Sequence, residues 1–283
     1  MSTTDLIARR VEDFQPLPIV AMRLLKLMGN ENHDARELIQ IVSLDAALTL
    51  RVMSVANSTA YARMSRVTTM AQAVSLLGEQ VVVGIAIGAS SPTIYKNELQ
   101  GYEADVGALW AHSLRTAIAA KEISRRCKTR ISADEAFTAG ILHDIGKAVI
   151  NEFLAARLDD IETDLKMNPN RDFATVEREI LGTDHTEVGE AMAKKWNIPA
   201  RLCSAIRFHH KPGEANLEDQ PFVYAIHLGD FLSMALGEGT GIDTLVHRLD
   251  DNYVKYFDLT HASIESIIAQ IQSEFADANS LIS

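Results

Sequence analysis

The chain has 283 residues, a formal net charge of −11 and a hydrophobic fraction of 47%. An acidic surface repels polyanions, which argues against a broad nucleic-acid-binding face but leaves room for a small phosphate ligand held by local cations or a metal. Aromatic residues make up only 6% of the chain, and Ala, Leu, Ile, Val and Met supply most apolar positions. That composition favours helices over a β-sandwich.

Three sequence features bear on the compartment. Cys127 and Cys203 lie far apart without zinc-site spacing, as expected for reduced thiols in a cytoplasmic protein. The opening "MSTTDLIARRVEDF" is charged and amphipathic, without the apolar core of a signal peptide. No apolar run reaches the roughly 20 residues needed to cross a bilayer. We therefore expect a cytoplasmic protein with no membrane partner.

Residues 1–100 predict a series of short helices, because their apolar residues recur with a helical period. Pro18 suits the first turn before "IVAMRLLKLMG", and an Asp suits the cap of "DAALTLRVMSVANS". "DARELIQIVSL", "TTMAQAVSLLG" and "EQVVVGIAIGASS" show the same period. The run "VVVGIAI" also suits a buried strand, but a single strand would have no pairing partner, so we predict a helix there.

The segment "YKNELQGYEAD", residues 95–105, marks a predicted boundary between an N-terminal helical subdomain (1–100) and a second subdomain (101–283). Longer predicted helices follow it. Ser132-x-x-Glu135 predicts a capping box before "ADEAFTAGILHDIGKAVINEFL". Asp184 is the predicted cap of "HTEVGEAMAKKW". The amphipathic tail "HASIESIIAQIQSEFADA" is expected to pack back on the body, which completes an all-α chain.

The most informative motif is His143-Asp144-Ile145-Gly146-Lys147, within what the period predicts as one apolar helix, "AFTAGILHDIGKAVI". An imidazole and a carboxylate are good ligands for Mn, Fe, Mg or Zn. Burying both without a partner is costly in free energy. Gly140, one turn earlier, predicts the close approach of another helix.

Further polar residues share this inward placement on the neighbouring predicted helices. His112 and Asp230 each fall on an apolar helix face, where charged and polar side chains are rare unless paired or metal-bound. His185 begins a predicted helix and the pair His209-His210 ends one. The sequence therefore offers a set of candidate metal ligands on consecutive helices.

Each candidate also has an ordinary structural interpretation. His112 alone suits a hydrogen-bonded core residue, and a histidine pair at a helix end suits the helix dipole. Asp144 alone suits a turn cap or a partner for Lys147, and Asp230 suits an acceptor for His227. We favour a shared metal pocket because all of these residues occur together on inward faces of one part of the chain.

Such a pocket predicts a definite chemistry. A carboxylate that bridges two cations holds them about 3.5–4 Å apart, so that they clamp a phosphate and activate a water for in-line attack. Lys147, one turn from His143, is predicted to steady the charge of the phosphate. Asp144 and Lys147 are therefore the candidate catalytic residues.

The order of His112, His143-Asp144 and Asp230 resembles the H…HD…D pattern of the HD superfamily of metal-dependent phosphohydrolases. His185 and the pair His209-His210 resemble its cyclic-di-GMP phosphodiesterase branch, HD-GYP. A longer resemblance, from about residue 13 to 235, is to the HDOD family, the HD-related output domain. Its segments are "LPIVAMRLLKLM", "IVSLDAALTLRVMSVANSTAY", "LWAHSLRTA", "AFTAGILHDIGK", "LGTDHTEVGEAMAKKWNIP" and "AIRFHH".

The resemblance implies an all-α, multi-helix HD-superfamily bundle preceded by the smaller N-terminal subdomain, with a role in bacterial signalling. It implies one or two divalent ions, drawn from Fe, Mn, Mg, Zn and Ni. The implied ligands of a first ion are His112, His143, Asp144 and Asp230, with Asp144 bridging to a second ion at His185, His209 and His210.

The chain departs from HD-GYP after His209-His210, where "KPGEANLEDQPF" contains no Gly-Tyr-Pro. The substrate loop of that branch is therefore absent or different. We expect a regulatory protein that acts on signalling proteins in trans and carries an HD-type metal pocket. The alternative is a metal-dependent phosphohydrolase acting on a nucleotide or another phosphoester.

Overall fold

The computed structural model describes residues 1–15, 17–28, 33–57, 67–95, 97–168, 171–237, 239–246 and 248–279. In these ranges the backbone is helical, with isolated bridges joining Leu99 to Ala104 and Cys127 to Phe257 but no β-strand. The all-α prediction is confirmed.

The helices of the first hundred residues are α1 Thr3–Asp13, α2 Ile19–Met28, α3 Ala35–Ser43, α4 Ala46–Ala56, α5 Met70–Leu77, α6 Glu79–Ser90 and α7 Pro92–Tyr95. The later helices are α8 Ala108–Ser124, α9 Ala133–Leu142, α10 Lys147–Leu154, α11 Leu158–Met167, α12 Phe173–Leu181, α13 His185–Lys195, α14 Ala200–Phe208, α15 Gln220–Ala235 and α16 His261–Asn279. Short 3₁₀ helices lie at Gln100–Tyr102, Ala155–Arg157, Pro212–Glu214, Ile242–Val246 and Asp251–Lys255.

Local sequence sets most of these boundaries. The Asp45 side chain accepts hydrogen bonds from the N–H groups of Ala47 and Leu48 at the start of α4. Asp184 accepts from the N–H of Glu187 at the start of α13, as predicted. The "VVVGIAI" run lies in helix α6, and its valine and isoleucine side chains are buried. A helix buried on nearly every side accounts for its strand-like composition.

Helix α8 forms the axis of the later part of the chain, with α9, α15 and α16 packed around it. A Cβ at Gly140 would lie 2.4 Å from Ala117 Cα, and one at Gly229 would lie 2.9 Å from Ala120 N. Helices α9 and α15 therefore both press against the backbone of α8, and the predicted close approach at Gly140 is confirmed. The tail helix α16 packs back on α8, as predicted.

Helix α1 packs on the later helices α10 and α13 rather than only on its sequence neighbours. Arg10 Nε lies 2.6 Å from Glu152 Oε1, and Lys195 Nζ donates to Val11 O at 3.0 Å. The division into subdomains at 1–100 and 101–283 stays a prediction.

Two local predictions need correction. The segment "AFTAGILHDIGKAVI" is two helices, because α9 ends at Leu142 and α10 begins at Lys147. A Cβ at Gly146 would lie 2.0 Å from His185 O, so the chain turns there to fit against α13. The Ser132 cap is formed, but the Glu135 carboxylate pairs with Arg201 at 3.1 Å.

Among the described helices, none is by itself both long and apolar enough to cross a membrane. Two sharply bent pairs, α3 with α4 and α5 with α6, reach that length and composition only when taken together.

We predict that Gly140→Ala destabilises the protein by about 1–3 kcal/mol, because the added methyl group has no space between α9 and α8. The matched control is Gly84→Ala in α6, whose Cβ would lie 3.4 Å from the Phe137 ring. That variant should be neutral or stabilising by up to about 1 kcal/mol, since Ala favours a helix interior. Urea unfolding of both variants measures the difference, and equal losses would contradict the described packing.

Candidate metal centre

Three helical segments bring one set of polar side chains together beside α8. His112 Nε2 lies 2.9 Å from Asp230 Oδ1 and 3.3 Å from His143 Nε2. The Asp144 Oδ2 atom lies 3.3 Å from His143 Nε2 and 3.6 Å from His112 Nε2. We call these four residues the first group, and they are the predicted first ligand set.

A second set meets the other oxygen of the same carboxylate. Asp144 Oδ1 lies 3.4 Å from His185 Nε2 and 3.5 Å from His209 Nε2. His210 Nε2 lies 3.0 Å from His185 Nε2. We call Asp144, His185, His209 and His210 the second group, and their ligand atoms all lie within 4.8 Å of one another. Asp144 thus stands between two clusters, one at each oxygen.

Hydrogen bonds at Nδ1 fix the direction in which Nε2 points in two of these rings. The Nδ1 atoms of His143 and His209 donate to the carbonyl oxygens of Gly140 and Ile206, at 2.7 and 2.9 Å. A carbonyl only accepts, so in each neutral ring the Nε2 lone pair points into the pocket. Metal-binding histidines are oriented by hydrogen bonds of this kind.

The pocket has the chemistry of a cation site. In the neutral rings, the Nε2 lone pairs face carboxylate oxygens. The two repel one another unless a proton or a metal ion lies between them. Neither Asp144 Oδ1 nor His209 Nε2 makes a hydrogen bond within the described part of the chain. His112, His143, Asp144 and Asp230 are each at most 1% exposed, so bulk solvent does not reach them. The residues fit a divalent ion in donor type and number.

The pKa values show how the charges of the metal-free pocket affect one another. Burial lowers the pKa of His143, but the carboxylates of Asp144 and Asp230 outweigh burial and raise it to about 10. Burial raises the pKa of Asp144, but His143 and Lys147 hold it well below its usual range. In contrast, burial lowers the pKa of His209 to about 4.

Sequence comparison places the chain among known proteins. The HDOD domain profile matches residues 14–212. The chain belongs to the HDOD family. An uncharacterized protein of Treponema pallidum (strain Nichols) is 22% identical over 223 residues, or 78% of this chain. The HDOD chain spans only 42% of that relative's length.

Solved structures support the same fold. An HDOD domain protein of unknown function from Geobacter sulfurreducens has a TM-score of 0.71 at 22% identity, with 98% of this chain and 96% of that chain covered. A protein of Marinobacter aquaeolei VT8, provisionally named for signal transduction, has a TM-score of 0.77 at 22% identity, with 100% and 62% covered. A provisionally named phosphohydrolase of Shewanella amazonensis SB2B has a TM-score of 0.64 at 22% identity, with 98% of both chains covered. At this identity the likeness establishes the fold alone.

The structure discriminates among the ordinary interpretations of the site residues in this HDOD chain. His227 donates to His209 O at 2.7 Å and accepts from Asp250 N at 2.9 Å, so both of its ring nitrogens are engaged away from Asp230. His209 does cap the end of α14, where its Nδ1 donates to Ile206 O, while its buried Nε2 faces Asp144. The pairing of Asp144 with Lys147 does occur, at 2.7 Å, alongside the two groups.

Lys147 is held inside the protein. Its Nζ donates to Thr240 Oγ1 at 2.7 Å and to Asp243 Oδ2 at 2.5 Å, and the residue is 1% exposed. A contact with a substrate phosphate would require these bonds to break. The phosphate role of Lys147 and the catalytic role of Asp144 stay predictions.

One open cleft reaches this centre. A cavity of about 280 Å³ lies beside the second group and includes His210, Arg178, Arg207 and Lys211 in its wall. A carboxylate offsets the two arginines, since Arg178 Nη1 lies 2.8 Å from Glu187 Oε1 and Arg207 Nη2 lies 3.0 Å from the same oxygen. The first group is enclosed, because each of its four residues is at most 1% exposed.

Sequence reasoning missed the residue that supports His185. Glu177 is fully buried and accepts from His185 Nδ1 at 2.6 Å and from the Tyr102 hydroxyl at 2.5 Å. The helical period could have predicted its burial, because Glu177 lies four residues from both Phe173 and Leu181 on the buried face of α12. Thr240 and Asp243 lie in an irregular segment where no period marks them.

We predict that Glu177→Gln lowers the pKa of His185 in the metal-free protein. Burial lowers that pKa, whereas the Glu177 carboxylate raises it to about 9, so removing the negative charge leaves burial to dominate. Histidine NMR signals followed against pH measure the shift. The control is Glu179→Gln on the same helix, whose side chain is 55% exposed and pairs with Arg171. An unchanged His185 titration would contradict the described contact.

Proposed function

We propose that this HDOD protein is a regulator that acts through protein partners, and that its buried pocket holds one or two divalent ions. The observation that carries the proposal is how deeply the ligands are buried. A catalytic metal keeps an open position for water or substrate, whereas a structural metal is enclosed by its ligands. The first group is enclosed, and Lys147 already occupies one oxygen of Asp144.

An ion in such a pocket would act on the fold. The ligands come from α8, from the α9–α10 junction, from α13 to the turn after α14, and from α15, so one ion would connect segments distant in sequence. Binding that requires assembled ligands stabilises the folded state that assembles them. The pocket would therefore couple ion occupancy to the arrangement of the bundle, which suits a sensor or a regulator. We expect Fe, Mn, Mg, Zn or Ni as the ion.

The N-terminal helices offer a surface for a signalling partner. Ile19, Leu44 and Leu50 are each more than 70% exposed, and each is a chain neighbour of a residue that lines a cleft between the starts of α2 and α4. Large apolar side chains grouped on a surface are typical of protein interfaces. We expect the partner to be a separate signalling protein that this chain meets in trans.

A metal-dependent phosphohydrolase is the second candidate. The cleft beside His210 favours it, because that cleft gives a small phosphoester or nucleotide a route to the second group. When bound there, an ion would supply a Lewis acid and an activated water. The chain's own cations at the cleft, Arg178 and Arg207, would orient the phosphate only after leaving Glu187.

We predict that Asp144→Asn lowers divalent ion affinity by roughly 100-fold or more, because that carboxylate faces both groups and even supporting residues cost 10–100-fold. Calorimetric titration with Mn²⁺ and elemental analysis after dialysis measure the loss. His261→Gln is the control, since that imidazole is 89% exposed on α16. Thermal melts followed by circular dichroism verify that both variants fold. Equal ion content in the Asp144 variant and the native chain would contradict a shared carboxylate.

We predict that Leu50→Ser removes the capture of a signalling protein by the immobilised chain, whereas Leu217→Ser does not. Both leucines are more than 70% exposed, but Leu217 lies far along the chain from the N-terminal cleft. Cross-linking with mass spectrometry identifies the captured protein and its contact site.

The purified native chain and its Asp144→Asn variant also distinguish between the two proposed functions. If the protein is a regulator, we expect the native chain to hydrolyse an aryl phosphate ester with Mn²⁺ or Ni²⁺ no faster than the Asp144→Asn variant does. Rapid turnover that this variant abolishes would contradict the regulatory proposal and favour the phosphohydrolase.

A further inference from the structure

A buried ion pair links the metal centre to the segment that follows α15. Lys147 Nζ lies 2.7 Å from Asp144 Oδ2 and donates to Asp243 Oδ2 at 2.5 Å. Lys147 and Asp144 are each 1% exposed and Asp243 is 3% exposed. Thr240 accepts from Lys147 at 2.7 Å and donates to Asp243 Oδ2 at 2.5 Å. We call residues 239–246 the latch segment, because it holds Lys147 against Asp144.

The Lys147 ammonium and the first group use the same oxygen. Oδ2 of Asp144 is the atom that faces His112 and His143, whereas Oδ1 faces the second group. A divalent ion at the second group would leave the Lys147 pair in place. An ion at the first group would share Oδ2 with a buried ammonium, and two cations on one buried oxygen repel strongly.

The latch segment is built in a way that allows it to open. Within the described residues, the buried Asp243 Oδ1 atom has no hydrogen-bond partner, which costs free energy in the closed arrangement. The segment rests on Tyr102, where a Cβ at Gly241 would lie 1.9 Å from Tyr102 O. The Tyr102 hydroxyl donates to Glu177, which holds His185. The latch segment is therefore linked indirectly to both groups, to the first through Lys147 and to the second through Tyr102 and Glu177.

We propose that Lys147 is a resident counter-ion of Asp144, so that the second group takes an ion first and the first group takes one only when Lys147 leaves and the latch segment opens. This inference rests on the metal pocket of the proposed function. Opening of the latch segment would then report that both ion sites are filled, which is a regulation of the site rather than a step of catalysis.

The test is a calorimetric titration with Mn²⁺ of the full native chain, Lys147→Met and Lys121→Met, with elemental analysis of the bound ions. We expect one tight and one weak site in the native chain, and a second site roughly tenfold or more tighter in Lys147→Met, where the repulsion is gone. Lys121→Met is the matched control, because Lys121 is also buried and lies 3.6 Å from Glu274, on a different carboxylate. An unchanged second affinity in Lys147→Met would overturn the proposal.

Hydrogen exchange of the native chain gives a second readout that does not depend on a variant folding. Backbone amides of residues 239–246 should exchange faster when both sites are filled than when one is filled. Two bound ions with unchanged exchange in this segment would overturn the latch while leaving the pocket intact. Absence of any bound ion in all three proteins would overturn the pocket itself, and the latch with it.

Discussion

The buried carboxylate of Asp144 is the charge on which the arrangement of this protein depends. A carboxylate removed from water is stable only with cations or hydrogen-bond donors around it. Here the neighbours are imidazoles from several helical segments and one ammonium, that of Lys147. The packing of the later helices holds these partners close to the single side chain of Asp144.

That packing includes close backbone contacts at three glycines. Gly140 and Gly229 let α9 and α15 lie directly against α8, which places His143 and Asp230 opposite His112. Gly146 lets the turn after Asp144 touch α13, where His185 begins. Because these positions carry no side chain, the neighbouring backbones lie closer together than a Cβ would allow. A ligand set within coordination range requires helices to be placed with that precision.

The same centre supports regulation and hydrolysis to different degrees. Both need the ligand residues that the HD resemblance implies, and this chain brings groups together that could hold an ion. Catalysis additionally needs access, and the first group is enclosed, while the second meets a cleft whose two arginines are already paired with Glu187. Burial and charge compensation, rather than the identity of the ligands, therefore favour the regulatory role. Fold likeness alone does not decide between these functions.

The sequence by itself determined the helical class, the capping of α4 and α13, the close approach at Gly140 and the set of inward polar residues, since period, cap chemistry and residue type are local properties. The burial of Glu177 could also have been predicted from the sequence, because the helical period places this charged residue on the apolar face of α12. Only the tertiary structure decided that the helix ends at Leu142, that the two oxygens of Asp144 face different clusters, and that Asp243 holds Lys147. Those features depend on contacts between residues far apart in the chain, and no local pattern encodes the distance or direction at which such residues meet.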